Sequence, residues 1–281
     1  MPFDQLADKN YLNKSEGWSL ISNAIHPKSY SLELANFFRL ELPNIASPIV
    51  LDAGSGFSQV SRELAKKGFI CHCVDSDSDM QNLAHSVTST HLTKKIIFYK
   101  QNWHNHLKET STQYDIIMNI GNGLSTDGIW ESSSKIETKW LNPQLMETRI
   151  MNFLQEAYLK TNPGGLILID TIPEHEEEIM NKTKGKFEIN EGDININGTI
   201  FYYPPKIRVV NEIGTLKIRK KDEETNNILE MTKNYRGSTQ YYSLLPSQLK
   251  SMWHKINPAL DVKELQLEHE KNYTITYIKK P

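Results

Sequence analysis

Cysteine is scarce in this sequence. Only two cysteines, Cys71 and Cys73, occur among 281 residues, which excludes a disulfide framework. Both lie in the strand-like segment FICHCVD, where alternation places the two thiols on one face and His72 on the other. Metal binding is one interpretation of this pattern, but free cysteines more commonly act as small buried apolar side chains. We therefore predict buried thiols and no metal site.

Long apolar runs and an excess of either charge are also missing. No stretch approaches the roughly 20 apolar residues that cross a bilayer, and the N-terminal MPFDQLADKNYLNK has no basic head followed by an apolar core. The 32 basic and 34 acidic side chains leave a net charge of −2. This balance gives no electrostatic footprint for nucleic acid or an anionic membrane. We expect a cytoplasmic protein with neither of these partners.

Apolar strand patterns alternate with helical patterns between residues 31 and 172. The first helix is predicted from Ser31. The strands read PIVLDAG, FICHCVDSD, KKIIFYKQNW, YDIIMNIGNG and LILIDTI, which suit a sheet covered on both faces. Two later patterns, VKELQLEHE and YTITYIKK, predict a closing antiparallel pair. The predicted fold is α/β: a doubly wound, mostly parallel seven-stranded sheet.

A different pattern occupies about residues 182–240. It is strand-like and contains turn signals, namely Asn197-Gly198, which predicts a hairpin, and the polar segment KKDEETNN. We predict an antiparallel β insertion here and interpret it as a lid. The predicted organisation is an N-terminal arm or lid over residues 1–30 and one domain over 31–281 that contains the insertion.

The segment IVLDAGSGFSQVSRELAKKGF indicates a ligand site. It places Gly54 and Gly56 at the carboxyl end of the first predicted strand, where open parallel sheets bind ligands. A dinucleotide turn would have a third glycine where Gln59 stands, and a P-loop would need Gly-Lys-Ser/Thr after a four-residue gap. The remaining form is an acid, Asp52, followed by two glycines at alternate positions.

An acidic residue, Asp75, ends the next predicted strand, about twenty residues after the turn. A carboxylate at this place can accept hydrogen bonds from both ribose hydroxyls of an adenosine. The alternative is that Asp75 only caps the following helix, a role that Ser76 or Asp77 could also fill.

These residues resemble those of class I S-adenosylmethionine (SAM)-dependent methyltransferases. VLDAGSG is similar to their first motif and VDSD to their acidic second motif. QNW at Gln101–Trp103, NIGNGLS at Asn119–Ser125, NPGGLILID at Asn162–Asp170 and the pair Tyr241-Tyr242 then follow in order. Jointly they resemble the glycine/sarcosine N-methyltransferase branch over roughly residues 30–281. The resemblance implies SAM as the cofactor and a small molecule as the methyl acceptor.

The resemblance also implies a cofactor site. Asp75, with its neighbour Ser76, would meet the ribose, and Met80 would lie against the adenine face. Ile120 and Gly121 would offer backbone atoms near the methionine amine. The glycine turn would pack against the methionine part and the adenosine through Asp52, Gly54, Ser55 and Gly56.

The segment NWHNH carries the adenine end of this implied site. Asn102 and Trp103 would flank the adenine; the alternative for Trp103 is an ordinary core tryptophan. His104 and His106 have a spacing that a metal could use, but no acid or cysteine lies nearby in the sequence. We therefore predict no metal at this segment.

The acceptor pocket is expected beyond the fourth strand. Asn122 matches the position that the resembling enzymes use to bind their amino-acid substrate, and Tyr241 and Tyr242 match tyrosines that line that pocket. Tyr202 and Tyr203 in FYYPP would join them. Asn122 and Tyr242 are the residues expected to position the acceptor. The alternative is that these tyrosines are strand residues with one side buried and one exposed.

One departure from the resembling enzymes concerns the end of the fifth strand. Glycine methyltransferases place an arginine there to bind the substrate carboxylate, whereas this chain has Ile172. An apolar residue would leave a carboxylate unpaired, which is costly in a dry pocket. Glu174 and His175 would instead add negative or titratable character to the acceptor site. We predict that free glycine is a poor substrate.

The amine acceptor is one of several hypotheses. An O- or C-methyltransferase of a biosynthetic pathway is the second, with Glu174 or His175 as a base. A SAM-binding regulatory protein without turnover is the third. A nucleic-acid methyltransferase is disfavoured, because the chain has no basic stripe and no motif for a flipped base. The resembling enzymes are often oligomeric, so a homo-oligomer is compatible with the sequence.

Overall fold

Helices and strands alternate along the computed structural model, which describes residues 28–121, 124, 142–172, 184–191, 194–203, 207–221, 228–268 and 274–281; from 184 to 241 this is the course of the backbone. The first half contains α1 (Lys28–Glu41), β1 (Ile49–Ala53), α2 (Gln59–Lys66), β2 (Ile70–Asp75), α3 (Ser78–Ser86), a 3-10 turn (Thr90–Leu92), β3 (Ile96–Lys100), α4 (Trp103–Glu109) and β4 (Tyr114–Asn119). The second half contains α5 (Pro143–Lys160), β5 (Thr161–Thr171), β6 (Lys184–Glu191), β7 (Ile194–Tyr203), β8 (Ile207–Lys221), β9 (Ile228–Tyr242), α6 (Pro246–Ile256), β10 (Val262–Leu265) and β11 (Thr274–Lys279).

Seven strands form one sheet in the order β10-β11-β5-β4-β1-β2-β3. The strands from β1 to β5 pair in parallel, and β11 is antiparallel to both β5 and β10. The predicted α/β fold, a parallel sheet closed by an antiparallel pair, is confirmed. Because β1 lies between β2 and β4, the strand order reverses beside it. The carboxyl ends of β1 and β4 therefore meet at a switch point, where such sheets bind ligands.

The other four strands form a separate antiparallel sheet in the order β6-β7-β8-β9, which confirms the predicted antiparallel insertion. The hairpin predicted at Asn197-Gly198 is wrong. Gly198 lies inside β7, where it pairs with Phe187 of β6 and Glu212 of β8. The chain instead reverses between the end of β6 and the start of β7. A local turn signal was overridden because a ten-residue strand with partners on both sides satisfies its backbone hydrogen bonds.

The main sheet is covered on both faces, as its continuous apolar strands predicted. On the face packed by α1 and α2, the core includes Phe38, Leu64 and the thiols of Cys71 and Cys73, all fully buried. On the face packed by α4, α5 and α6, it includes Leu51, Trp103, Ile150, Phe153 and Trp253. The two thiols share one face and His72 lies on the other, as alternation predicted, and both cysteines are free. We call these surfaces the α1–α2 face and the α4–α5 face.

Helix ends follow their local signals with one exception. Gly68, predicted to end α2, has a φ of +96°, a conformation that glycine adopts without steric cost. Asp77 caps α3 through its carboxylate, which accepts hydrogen bonds from two backbone N–H groups. The exception is α1, which begins at Lys28 rather than at Ser31. Tyr30 belongs to this first turn and is only 1% exposed, so its burial extends the helix.

The segment KKIIFYKQNW is only partly strand. β3 ends at Lys100, and a helix that the sequence did not predict begins at Trp103. Asn102 caps this helix, since its Oδ1 accepts a hydrogen bond from His104 N at 2.8 Å. The helix is seven residues long, too short for a clear 3.6-residue periodicity.

Candidate functional site

The glycine turn after β1 folds back onto the end of β2. The backbone N–H groups of Gly54 and Ser55 both donate to the carbonyl of Val74, at 2.8 and 3.1 Å. Gly54 and Gly56 have φ values of +75° and +48°, which side chains with a Cβ rarely adopt. The turn therefore exposes backbone rather than side chains at the switch point of the sheet.

A tryptophan of α4 lies directly beside Gly54. A Cβ at Gly54 would stand 3.1 Å from Trp103 Cζ3 and 3.6 Å from Asn119 Nδ2, so a side chain here would crowd the indole as well as strain the backbone at its positive φ. Trp103 is 6% exposed and belongs to the core of the α4–α5 face, while its indole N–H is buried with no hydrogen-bond partner among the described residues. Trp103 is therefore a core residue that also lies beside the turn; its contact with adenine stays a prediction.

The carboxylate of Asp75 binds the turn. Its Oδ2 accepts from Gly56 N at 2.7 Å, and its Oδ1 accepts from Asp77 N at 2.8 Å. Burial raises the pKa of this carboxyl, while backbone hydrogen bonds from Asp77, Gly56 and Ser76 oppose that rise. The alternative that Asp75 caps α3 is wrong, because Asp77 holds that position. Asp75 is instead oriented at the mouth of the turn, and an ionised carboxylate has about four acceptor positions.

Two further predicted residues lie beside these. Met80, in the first turn of α3, is 5% exposed. Its Cε lies 3.9 Å from the position that a Cβ on Gly56 would take. Ser76 is half-buried between Asp75 and the cap of α3. The structure therefore brings together the turn, Asp75, Ser76, Met80 and Trp103.

A second carboxylate, Asp52, lies under the turn on the α1–α2 face. It is 5% exposed, and its Oδ2 accepts a hydrogen bond from Ser61 Oγ at 2.6 Å. Burial raises the pKa of Asp52 to about 7, with a smaller rise from Asp75 and an opposing effect of the Ser61 hydrogen bond. Asp52 therefore anchors α2 to β1 from inside the protein; its contact with the cofactor stays a prediction.

Side chains that the sequence did not single out hold the end of β4. Asn119 is fully buried; its Nδ2 donates to Ala53 O at 2.7 Å, and its Oδ1 accepts from Leu124 N at 2.8 Å. Asp170, at the end of β5, accepts from Gly121 N at 3.0 Å through Oδ2. Gly121 has a φ of +85°, and the preceding Ile120 packs partly on the core. A polar residue ending an apolar strand is the signal that could have indicated Asn119 and Asp170.

The acceptor side is described in part. Tyr242 is fully buried, and its hydroxyl donates to Glu147 Oε1 at 2.9 Å; burial and Glu147 raise the pKa of this phenol. Glu147 lies in the second turn of α5 and was not predicted. The predicted residues Asn122, Glu174 and His175 fall outside the described residues.

The four predicted tyrosines do not share one surface of the antiparallel sheet. Tyr203 and Tyr242 both pair with Ile207, and Tyr202 and Tyr241 both pair with Arg208. Consecutive strand residues lie on opposite faces, so each tyrosine pair contributes one residue to each face.

Metal and membrane sites were also considered among the described residues. No group of three or more His, Cys, Asp or Glu side chains in that part of the chain is arranged to hold a metal ion. None of the helices in that part is long and apolar enough to cross a membrane.

Solved methyltransferases share this fold. A SAM-dependent methyltransferase from Clostridium acetobutylicum aligns with a TM-score of 0.66 at 10% identity, over 94% of this chain and 98% of that one. CalS10, an amino pentose methyltransferase of Micromonospora echinaspora solved with SAM, gives 0.59 at 10% identity, over 97% and 100%. The sugar N-methyltransferase KedS8 from Streptoalloteichus gives 0.58 at 6% identity, over 94% and 93%.

No protein-family model matches the chain, and no curated protein matches it. At identities of 10% or less, the three likenesses concern the fold. The narrower resemblance to the glycine/sarcosine branch stays a prediction. The chain has the fold of the class I SAM-dependent methyltransferases.

Proposed function

We propose that this protein transfers a methyl group from SAM to a small-molecule acceptor, with an amine nitrogen favoured. One observation carries the proposal. In a methyltransferase fold, the backbone N–H of Gly56 is bound to the Asp75 carboxylate at 2.7 Å. This bond joins the glycine turn to the acid that would accept the ribose hydroxyls.

The residues around the turn fit the nucleoside of SAM. Positive φ values at Gly54 and Gly56 keep side chains off the surface that the donor would contact. The hydroxyl of Ser55 is buried and has no hydrogen-bond partner among the described residues, so the protein itself leaves this polar atom unsatisfied. Met80 and Trp103 supply the apolar walls that an adenine ring prefers. The predicted ribose contact is Asp75.

The methionine end of SAM would lie over the end of β4. Asn119 fixes the start of the following loop through its bonds to Ala53 O and Leu124 N. The backbone N–H of Gly121 already donates to Asp170. The ammonium group of SAM can only donate hydrogen bonds, so the carbonyl groups around Ile120 are the atoms that would accept them.

The chemistry asks for positioning more than for acid or base. SAM supplies a methyl group on a positively charged sulfur, a leaving group that needs no protonation. The protein must hold the acceptor in line and exclude water, and such orientation can contribute about 7–11 kcal/mol. An acceptor amine must reach the site in its neutral form, which a dry pocket favours. Asn122 and the tyrosines are the residues that we assign to this positioning.

Two observations favour a larger amine over free glycine. Ile172, where the resembling enzymes have an arginine, is 1% exposed, and its N–H donates to Leu244 O at 2.9 Å. A buried apolar residue at this point offers no partner for a carboxylate. Proteins of the same fold include an amino pentose methyltransferase and a sugar N-methyltransferase, so amino sugars are a suitable first class to test.

The test has two stages. S-adenosylhomocysteine (SAH) is titrated calorimetrically into the protein, and SAH formation from SAM is then followed with glycine, sarcosine, amino sugars and matched hydroxyl sugars. We expect SAH binding and turnover that requires an amino group. Efficient glycine methylation would contradict the assigned role of Ile172. Turnover on the hydroxyl sugars would favour O-methylation, and binding without turnover on any acceptor would favour a regulatory SAM-binding protein.

A further inference from the structure

A chain of buried polar side chains crosses the α4–α5 face behind the candidate site. Gln101 Nε2 lies 2.6 Å from His106 Nδ1, and His106 Nε2 lies 2.8 Å from the Tyr114 hydroxyl oxygen. That oxygen lies 3.2 Å from His72 Nδ1. Tyr114 is fully buried, and the two histidines are 3% and 8% exposed. The proposed methyl transfer gives these groups no role.

The chain has a single hydrogen-bond direction. The amide nitrogen of Gln101 can only donate, so His106 Nδ1 accepts, and the Nε2–H of the neutral ring donates to the Tyr114 oxygen. The hydroxyl proton of Tyr114 is then available to His72 Nδ1. This order fixes His106 as the Nε2–H tautomer, and we assign the same tautomer to His72, whose Nδ1 faces the Tyr114 hydroxyl.

The titration behaviour of the three rings agrees with a neutral chain. Burial, with a smaller effect of His72, lowers the pKa of His106 to about 4. Burial also lowers the pKa of His72 and raises that of Tyr114 to about 12. At neutral pH no member of the chain carries a charge, so its order does not depend on a counterion.

Gln101 connects this chain to the candidate site through its backbone. Its backbone N–H donates to two carbonyl oxygens, those of Asp75 and Tyr99, each at 3.1 Å. Asn102 and Trp103 follow it directly and begin α4. At the other end of this turn, the backbone N–H of His106 donates to Asn102 O at 3.0 Å.

The packing restricts the first turn of α4 further. The His106 ring lies 4.5 Å from the Tyr99 ring between centroids, and the Trp103 ring stands beside Gly54. Movement of His106 would therefore be transmitted to the indole, because both are buried residues of the same short helix. The hydrogen-bonded side chains that hold the His106 ring therefore also hold Trp103, which lies beside the glycine turn.

We propose that the chain Gln101–His106–Tyr114–His72 positions Asn102 and Trp103 for the nucleoside of SAM, so that these four residues set cofactor affinity without touching the cofactor. The inference rests on the proposed function, since the nucleoside is that of SAM. A merely structural role for the chain predicts a loss of stability with no specific loss of cofactor binding.

The test uses Tyr114→Phe and Gln101→Ala in the full-length protein, each titrated with SAH well below its melting temperature. Tyr114→Phe removes one oxygen and leaves two ring nitrogens without their partner; Gln101→Ala removes the donor at the half-buried end of the chain. We expect each variant to weaken SAH binding roughly tenfold, the typical effect of a lost buried hydrogen bond. His85→Asn is the control, because His85 is an exposed histidine whose ring packs against Phe98, away from this hydrogen-bonded chain.

A second readout follows the ring tautomers by nitrogen-15 NMR of histidine-labelled protein. The wild type should show His72 and His106 as Nε2–H tautomers, and Gln101→Ala should give His106 a mixture of both forms. A protein with no such tautomer order would contradict the chain direction.

The outcomes separate the two proposals. Failure of the wild type to bind SAH overturns the proposed function and this inference with it. SAH binding by the wild type, with both variants within twofold of it, overturns this inference and leaves the proposed function standing. If Tyr114→Phe does not fold, Gln101→Ala decides the question alone, because Gln101 is only half-buried.

Discussion

The two faces of the sheet beneath the glycine turn stabilise it in different ways. On the α1–α2 face, the groups are acids. Asp52 binds Ser61 Oγ, and Asp75 binds Gly56 N. Asp75 shares this face because it lies two residues after Cys73, which pairs with Asp52. On the α4–α5 face, the polar groups are neutral rings and an amide linked by hydrogen bonds. Carboxyl groups hold the turn and α2 on one face, and neutral hydrogen bonds support the wall beside the turn on the other.

The difference between the two faces follows from how deeply each polar group is buried and whether it can reach a ligand. Asp75 lies at the carboxyl end of β2, where a carboxylate can reach a ligand, so it is suited to direct contact. Deep in the sheet, an isolated charge would be expensive, so the α4–α5 face uses groups whose pKa values keep them neutral. Asp52 is the intermediate case, since its raised pKa of about 7 shows the cost of a buried acid.

The largest expected effect on SAH binding comes from a bulky side chain at Gly54, between the turn and Trp103. Gly54→Val would place a branched side chain against Trp103 at a positive φ, and SAH binding should fall at least a hundredfold. Gly164→Ala is the matched control, because Gly164 also has a positive φ of +77° but would bring its Cβ within 4 Å of nothing. Calorimetry on both should show that the control loses stability and keeps its SAH affinity.

Removing the charge of Asp75 tests the acid face directly. Asp75→Asn replaces one acceptor oxygen by a donor, opposite a backbone N–H. Hydrogen bonds to charged groups contribute about 1.5–3 kcal/mol, so SAH affinity should fall roughly 10- to 100-fold. Asp77→Ala, which removes the cap of α3, should instead lower the free energy of unfolding by about 1 kcal/mol. A normal SAH affinity for Asp75→Asn would remove the proposed ribose contact.

The pH dependence of stability should have opposite signs on the two faces. The pKa of Asp52 is raised from 3.8 to about 7, so its stabilising contribution is present below about pH 4 and is lost as pH rises to 7. The pKa of His106 is lowered from 6.5 to about 4, so its contribution is present above about pH 6.5 and is lost as pH falls to 4. The two effects oppose each other in the wild type.

Single variants should separate these slopes. Relative to the wild type, Asp52→Asn should become more stable as pH rises from about 4 to 7, and His106→Gln should become less stable over the same range. Each group can change the slope by at most about 1.4 kcal/mol per pH unit. Urea unfolding at several pH values gives the comparison; parallel curves for all three proteins would contradict the assignment.

The smallest expected effect on SAH affinity is that of Ser61. Ser61→Ala removes the hydroxyl that binds Asp52 and should lower the free energy of unfolding by about 1–3 kcal/mol above pH 7, where the carboxylate would be ionised. Below about pH 4 the loss should shrink. SAH affinity should be unchanged, because Ser61 lies on α2, behind the turn. A large loss of affinity would show that Asp52 acts on the ligand directly.

Much of the fold was predictable because its signals are local. Continuous apolar strands separated by helical patterns indicated the parallel sheet, and the alternation in FICHCVD placed the cysteines and His72 on opposite faces. The prediction failed where local signals compete with pairing: Gly198 lies inside β7, and the short α4 was taken for part of a strand.

The sequence by itself determined the fold class, the position of the glycine turn and the acid that follows it, because each depends on neighbours along the chain. Only the tertiary structure decided which distant groups meet. Asp75 binds Gly56 across 19 positions, His72 meets Tyr114 across 42, and Asn119 binds Ala53 across 66. A polar residue within an apolar strand shows that a partner must exist, since buried polar groups are costly when unpaired. The register of the strands determines which residue that partner is.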